Sequence, residues 1–462
     1  MAARDRLLPL VVACPLFLQN VDTSAIATAL PAIARSLDVT PLHLNLAITS
    51  YLLSLAVFLP LSGWFASRFG ARRVFCAAIA FFALGSALCG LATSLPWLVA
   101  FRVLQGFGGA LMVPVGRLIL LRSVAPAAMV AAMVWFTVPP TVGRMIGPLV
   151  GGAIVTWTSW RWIFLLNIPF GIIGILLAWR LISPEVDEEL REPFDAPGFL
   201  LLALALTGLL GALEMAGKGL VGGWAIGAAA GVGTAAMLLY VRRSGRVAAP
   251  MVNLRVLTFP TYFVSIVGGT PVRVAIGAAP FLLPLMFQLG FGLTPLQSGL
   301  LTVATALGSL ATRGVMGRAI RRFGFRPLLI AATAVSGMLY MSYGLFTPAT
   351  PHVLMFCTML AGGLFTSMAM VSLQTLGFSE IPKPLMSHAT TLSTMTQQVT
   401  LTFGVVLGAA LVNAFAWLHG GDAAHLTARD FSPAFFVVGF TTLLSLFFFL
   451  RLDPQHGEGM RG

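Results

Sequence analysis

The stretch Leu8–Ile33 reads LPLVVACPLFLQNVDTSAIATALPAI, an apolar run that polar residues interrupt at its centre. A run of this length predicts a membrane-spanning helix, since about 20 residues rising 1.5 Å each cross the hydrocarbon layer. Asp22 would then lie near the middle of the bilayer, where a carboxylate costs roughly 2.5–3.5 kcal/mol to insert. A helix that served only to span would not carry this residue, so we expect Asp22 to be paired or to be protonated during a working cycle.

The composition of the chain is that of a multi-pass membrane protein. Of its 462 residues, 58% are hydrophobic and 9% are charged, and the mean hydropathy is +0.93. A soluble globular protein carries about 25% charged residues. About 14 apolar stretches are long enough to span a bilayer, since each needs roughly 17–25 residues. The lipid bilayer is therefore the expected surrounding of most of the chain.

The positive charge is distributed in a way that predicts orientation rather than nucleic-acid binding. The net charge is +13 at pH 7, and most of the 28 Lys and Arg residues fall in every second connection between apolar stretches. This asymmetry follows the positive-inside rule and predicts that both termini lie in the cytoplasm. The four cysteines fall within apolar stretches without paired spacing, so we expect neither a disulfide framework nor a zinc site.

The first and last parts of the chain repeat one another. Three separated landmarks share one offset: Thr40-Pro41-Leu42 with Thr294-Pro295-Leu296; Gly63, Arg68, Gly70 and Arg72 with Gly317, Arg322, Gly324 and Arg326; and Gly108 and Gly109 with Gly362 and Gly363. We infer an all-α polytopic membrane protein with six-helix halves at 1–182 and 255–462 and a two-helix insert at 183–254. Repeated halves usually place a substrate site between them, near the middle of the membrane.

The connection after the second apolar stretch carries a motif of glycines and arginines. Residues 63–73 read GWFASRFGARR, in which glycines permit a tight turn and arginines favour the anionic inner membrane surface. The segment resembles motif A of the major facilitator superfamily, GxLADRxGRR in outline. The resemblance implies a gate on the cytoplasmic side that includes Gly63, Arg68, Gly70 and Arg72. Ser67 stands where the motif has an acid that helps to latch this side.

The fourth apolar stretch contains an arginine that must face protein or water. Residues 98–110 read LVAFRVLQGFGGA, with Arg102 in the middle and glycines that allow close helix approach. The segment resembles motif B of the same superfamily, and that resemblance implies a role for Arg102 in proton coupling. A purely structural arginine that holds helices together is the alternative.

In the fifth apolar stretch Gly143, Gly147 and Gly151 recur every four residues. Small residues at this spacing form a flat face for helix packing. The string 147–152, GPLVGG, resembles motif C, which is typical of exporters that act as antiporters. The resemblance makes this face, with Pro148, part of the conformational gate.

Two further segments narrow the resemblance to one family. Residues 160–171 read WRWIFLLNIPFG and residues 21–31 read VDTSAIATALP. Both resemble signatures of the 14-helix drug:proton antiporter family, although Ala27 stands where an asparagine is usual. The resemblance implies the major facilitator fold with 14 transmembrane helices, and a monomeric carrier in a bacterial-type inner membrane. It also implies protons as the coupling ion and no cofactor.

Several polar side chains are candidates for a substrate cavity: Gln19, Asn20, Gln105, Arg144, Arg273, Gln374, Gln397 and Gln398. The alternative for Arg144 and Arg273 is burial against helix carbonyls. By resemblance the substrates are small amphipathic compounds or drugs. The excess of embedded arginines instead favours organic anions such as small carboxylates. A non-transporting membrane sensor is a third hypothesis. No nucleotide-binding loop or catalytic triad is present in the sequence, so we do not expect an enzyme.

Overall fold

The computed structural model describes residues 3–123, 129–183, 194–215, 222–247, 250–382, 385–419 and 426–452. The regular elements within these ranges are helices. The first half contains α1 (Ala3–Ser36), α2 (Pro41–Phe58), α3 (Leu61–Phe69), α4 (Ala71–Leu91), α5 (Leu95–Ser123), α6 (Met129–Trp157), α7 (Arg161–Leu165) and α8 (Asn167–Leu181). The insert contains α9 (Ala196–Met215) and α10 (Gly223–Ser244).

The remaining helices are α11 (Pro260–Phe263), α12 (Thr270–Leu285), α13 (Pro295–Phe323), α14 (Phe325–Tyr343), α15 (His352–Phe378), α16 (Met386–Leu418) and α17 (Ala428–Phe449). Two π-helical turns, Val264–Gly268 and Met286–Gly290, flank α12. A π-helical turn widens the helix locally and leaves carbonyl groups with altered partners.

The expected multi-pass, all-helical membrane architecture is confirmed. In the described ranges, 11 helices are long and apolar enough to cross a membrane, or 12 if the bent pair Pro295–Thr312 and Gly314–Ile320 is one span. Two shorter apolar helices, His43–Phe58 and Val142–Trp157, fall where the sequence places the second and fifth spans. The count of 14 spans and the domain boundaries stay predictions.

The internal repeat is visible in helix packing. In the first half α1 packs against α6 and α8, α4 packs against α5 and α8, and α2 packs against α5. In the second half α12 packs against α16 and α17, α14 against α15 and α17, and α13 against α15. The helices therefore pair in the same order in both parts of the chain.

The repeated sequence landmarks perform the same local tasks. Thr40 and Thr294 each cap a helix, and each side-chain oxygen accepts a hydrogen bond from a backbone N–H three residues on. Gly70 and Gly324 adopt φ of 84° and 80°, a backbone conformation that favours glycine. These glycines allow the sharp turns from α3 to α4 and from α13 to α14.

The two halves meet where α6 packs against α13 and where α2 packs against α16. A Cβ added to Gly152 on α6 would lie 2.5 Å from the Pro295 carbonyl oxygen, so the two backbones are in contact at this end. Gln288 Nε2 also donates to the Thr28 carbonyl oxygen of α1 at 2.9 Å. By the predicted orientation, the contact of Gly152 with Pro295 and that of Gln288 with Thr28 lie at the outer ends of the helices.

The insert is attached next to α2 and α16. Phe194, just before α9, packs on Trp64 of α3 with ring centroids 4.8 Å apart. Asp195 Oδ1 accepts hydrogen bonds from the Arg243 guanidinium of α10, the shorter at 2.8 Å, and from the Gly198 N–H. Burial raises the pKa of Asp195, but the hydrogen bonds from Arg243 and Gly198 outweigh it and hold the pKa below its usual value.

We expect Asp195→Asn to speed amide hydrogen exchange in the first turn of α9 by less than about tenfold, because an ion pair with a partly exposed arginine is worth about 0–1 kcal/mol. Since the pKa of Asp195 is lowered by folding, its contribution is present above the usual value of 3.8 and disappears as the pH falls through the lowered value. Exchange measured at pH 7 should therefore differ between the two proteins, and the difference should vanish in acid. Equal exchange at both pH values would contradict a stabilising role for the Asp195 carboxylate.

Candidate functional site

A buried ion pair lies at the centre of the first half. Asp22 on α1 and Arg102 on α5 are 1% and 0% exposed, and Arg102 Nη1 lies 2.7 Å from Asp22 Oδ2. Removing one member of such a pair is strongly destabilising, because it leaves an uncompensated charge away from water. The structure thus brings together the two residues that the sequence proposed for proton coupling.

Arg102 is held by more than its acid. Its Nε donates to the Ala47 carbonyl oxygen of α2 at 3.0 Å, and its Nη1 also donates to Gln105 Oε1 at 2.6 Å. The guanidinium carbon lies 4.2 Å from the centre of the Tyr51 ring, a distance at which a cation is attracted to an aromatic face. Arg102 therefore keeps hydrogen-bond and aromatic partners if Asp22 becomes neutral.

The second carboxylate oxygen has a partner that sequence reasoning missed. Asn167 Nδ2 donates to Asp22 Oδ1 at 3.1 Å and to Ser86 Oγ at 2.9 Å, and Ser86 Oγ donates to the Phe164 carbonyl oxygen at 2.8 Å. The available signal was a lone asparagine inside an apolar span. Its pairing could not be read from the sequence, because Asn167 and Asp22 are far apart in the chain.

Two residues predicted for the substrate cavity lie inside the first half instead of on an open surface. Gln105 is fully buried and accepts the hydrogen bond from Arg102. Gln19 is buried and donates through Nε2 to the Gly109 carbonyl oxygen at 3.4 Å. In this conformation both glutamines belong to the surroundings of the ion pair.

Arg144 and Asn20 are placed differently, on neighbouring faces of α6 and α1. Arg144 is exposed, and its Nε and Nη2 donate to Asn20 Oδ1 at 3.2 and 2.9 Å. Asn20 is half-buried and donates in turn to the Leu16 carbonyl oxygen at 2.8 Å. The Arg144 guanidinium is therefore accessible to a solute and is held in place by a neutral amide.

Arg273 does not share this surface. It is 1% exposed, and its Nη1 donates to the carbonyl oxygens of Ser265 and Ile266 at 2.7 and 3.3 Å. These carbonyls belong to the π-helical turn that precedes α12. The geometry therefore matches burial against helix carbonyls, and Arg273 does not face a cavity here. The other predicted cavity residues, Gln374, Gln397 and Gln398, are half-buried on α15 and α16.

The glycine face of α6 lies against α1. A Cβ added to Gly143 or Gly151 would lie 2.5 or 2.6 Å from a carbonyl oxygen of α1, and one added to Gly147 would overlap Ser24. On another face of α6, the Pro148 carbonyl oxygen lies against Gly299 of α13. This part of the predicted conformational gate is thus packed between the first helix and the opposite half.

The motif A residues lie on α3, in the turn that follows it and at the start of α4. Gly63 and Arg68 are exposed, and Gly70 forms the turn itself. Arg72 Nη1 donates to the Ile182 carbonyl oxygen at the end of α8 at 3.4 Å, and its guanidinium lies over Trp179. Arg326 of the second half likewise donates to the Leu450 carbonyl oxygen after α17. The side chain of Ser67 lies outside the described part of the structure.

The ion pair has no equivalent in the repeated part of the chain. At the positions that correspond to Ser86, Arg102 and Gln105 stand Tyr340, Phe356 and Met359. Tyr340 and Tyr343 pack edge to face there, with centroids 5.6 Å apart. At these three positions, aromatic and thioether side chains stand in place of the polar and charged ones. Within the described ranges, no group of three or more His, Cys, Asp or Glu residues could hold a metal ion.

The repeated helical halves, the membrane-spanning composition and the central buried ion pair define a multi-pass membrane transporter of small molecules, not an enzyme. The chain belongs to the Major Facilitator Superfamily, whose model matches residues 12–399 and 266–460. This confirms the superfamily that its sequence motifs indicated.

Similar proteins agree with this assignment. Proteins of Salmonella paratyphi B and Salmonella typhimurium named "Putative multidrug resistance protein MdtD" are each 36% identical over 453 residues, which is 97% of this chain and 95% of theirs. A D-xylose-proton symporter structure aligns with a TM-score of 0.71 at 15% identity, covering 98% of both chains. An auto-inhibited POT family peptide transporter aligns with a TM-score of 0.70 at 14% identity, also covering 98% of both chains. At these identities the solved structures support the fold alone.

Proposed function

We propose that this transporter is a proton-coupled exporter, an antiporter that moves small amphipathic compounds out of the cytoplasm by alternating access. It would work as a monomer in a bacterial-type inner membrane, with both termini in the cytoplasm and with protons instead of a cofactor as the energy source. The observation that carries the proposal is the fully buried pair of Asp22 and Arg102. A carboxylate inside the membrane costs free energy to insert, and such residues mark ion pathways and proton relays.

The coupling step follows from the geometry of the pair. When a proton binds Asp22 Oδ2, the carboxylate becomes a neutral acid and the attraction to Arg102 is lost. Arg102 still donates to Ala47 and Gln105. The proton and the guanidinium therefore compete for one oxygen atom. Protonation from the outside would weaken the contact between α1 and α5 and favour substrate release.

Alternating access requires the two halves to rock about the substrate site, and the proposed boundaries at 182 and 255 divide the chain accordingly. The contacts of Gly152 with Pro295 and of Gln288 with Thr28 join the halves at the predicted outer ends. They support an arrangement closed at that side. Release to the outside would require these contacts to separate.

Drug export is favoured by the name of the Salmonella relatives, and anion export by one feature of the structure. Arg144 presents an exposed guanidinium beside Asn20, where a carboxylate would gain charge-assisted hydrogen bonds. Arg273 gives no such support, since it is buried and its Nη1 donates to backbone carbonyls. Export of small carboxylates is therefore a second candidate that depends on Arg144 alone.

We expect Arg144→Gln to decide between the two substrate classes. If the substrate is an anion, its export should fall roughly 10-fold or more, because a charge-assisted hydrogen bond contributes about 1.5–3 kcal/mol. Export of the lipophilic cation ethidium should then hold or rise. Arg273→Gln is the matched control, because it removes a buried charge and should affect both classes alike. Loss of ethidium export alone in Arg144→Gln would reject the anion hypothesis.

The proposed function itself is tested with inverted membrane vesicles. Uptake of ethidium and of citrate should be measured with and without an imposed pH gradient. Accumulation of either probe that depends on the gradient is the expected result. Equal, gradient-independent movement of both probes would contradict proton coupling.

A further inference from the structure

Asn167 belongs to a motif that the proposed function leaves without a role. It is buried, and it is the first residue of α8. Pro169 follows two residues later, and a proline ring clashes with the carbonyl group four residues before it, here Leu165. Leu165 is the last residue of α7. Pro169 also cannot donate a hydrogen bond to the Leu165 carbonyl, and α7 gives way to α8 at Leu166, at the level of Asp22. The Asn167 side chain is buried in the bundle there.

The hydrogen bonds around Asn167 determine which way its amide faces. Ser86 Oγ donates its only hydrogen to the Phe164 carbonyl oxygen, so it can only accept from Asn167. Asp22 Oδ1, as a carboxylate oxygen, also accepts. Both neighbours therefore require the amide nitrogen, whose two hydrogens they share. The amide is oriented from both sides and anchored to the backbone through Ser86.

We infer that Asn167 is a positioning residue for proton exchange: its hydrogen bond to Asp22 Oδ1 holds the carboxylate so that Oδ2 faces Arg102. Oδ2 is the oxygen to which Arg102 donates. With the carboxylate held in this orientation, a proton that binds Oδ2 meets the oxygen that Arg102 contacts and weakens the ion pair. In the step, a hydronium ion from the outer solution gives up a proton and leaves as water, one O–H bond forms at Oδ2, and the hydrogen bond from Arg102 to that oxygen is lost.

The remaining ionisable groups around Asp22 do not replace this role. Arg102 approaches from α5, Tyr51 of α2 faces the Arg102 guanidinium with its ring, and Cys89 lies on α4. Arg102 contacts the other oxygen, and Cys89 Sγ is directed at Gln105 Oε1 at 3.9 Å. Asn167 is the neutral partner that fixes the carboxylate without competing for charge.

The test is a titration of Asp22 in the purified protein by infrared difference spectroscopy. The relevant carboxyl band is the one that disappears in Asp22→Asn. A hydrogen bond to a carboxylate favours its charged form, so Asn167→Leu should move the midpoint of this band to higher pH by about one unit. Ser86→Ala keeps the donor but removes its anchor and should produce a smaller shift in the same direction.

A variant in the second half, far from Asp22 in the chain, serves as the control. Ser336→Ala removes a buried hydroxyl that contacts Thr366 in the second half, and it should leave the midpoint unchanged. A midpoint that is the same in native protein, Asn167→Leu and Ser86→Ala would overturn the inference. The inference rests on the proposed proton coupling. If proton coupling failed, the native protein would transport ethidium independently of the gradient, while the titration would still report on Asn167. Ser86→Ala keeps the test valid if Asn167→Leu does not fold.

Discussion

Asp22→Asn should abolish gradient-driven export and leave substrate binding and downhill exchange in place. Asparagine has the size of aspartate but carries no charge, so its attraction to Arg102 is weakened as in the protonated acid, and it cannot take up and release a proton. Arg102 keeps its hydrogen bonds to Ala47 and Gln105, which should allow the variant to fold. The variant should resemble the protonated state permanently. Gradient-driven transport of ethidium in proteoliposomes should fall to the level of protein-free vesicles, whereas exchange without a gradient should continue.

A second buried carboxylate provides the matched control. Asp430 on α17 is also buried, but it caps its own helix through Thr427 and contacts His419 at 2.8 Å. Asp430→Asn should therefore lower stability without removing the dependence on the pH gradient. Full gradient-driven transport by Asp22→Asn would refute the mechanism, whatever the control shows.

Gly152→Leu should prevent the halves from closing at the contact between α6 and α13. The atoms within 3.0 Å of a Cβ at this position belong to the backbone of Pro295 and Leu296, which cannot rotate away as a flexible side chain could. The leucine would act as a wedge. We expect transport to fall by at least tenfold and the population to shift toward a state that is open at this end. A tenfold shift corresponds to about 1.4 kcal/mol, well within the cost of such an overlap.

Spin-label distances between the ends of α6 and α13 measure this shift, with labels at the exposed residues Trp157 and Leu300 and with Cys357 replaced. The distance should lengthen in Gly152→Leu. Gly227→Leu on α10 is the control, because a Cβ at Gly227 would meet no described atom within 4 Å. An unchanged distance in a folded Gly152→Leu protein would show that this contact is not part of a gate.

The spans, their repeat and the central acid were all accessible from the sequence. Hydrophobic length identifies a span without knowledge of its neighbours, and one offset places Thr40 and Gly70 opposite Thr294 and Gly324, which cap and turn in the same way. A carboxylate and an arginine in the hydrocarbon layer have few possible partners. The pairing of Asp22 with Arg102 could therefore be expected from the sequence by itself.

The tertiary structure alone decided what each remaining polar side chain contacts. Arg144 and Arg273 look equivalent in sequence, as single arginines within apolar spans. One is exposed beside Asn20, whereas the other is buried against carbonyls of a π-helical turn. An arginine side chain reaches several ångströms, and its place depends on which acceptors neighbouring backbones leave open. The same reason hid Asn167, because its contact with Asp22 exists only once α1 and α8 are packed together.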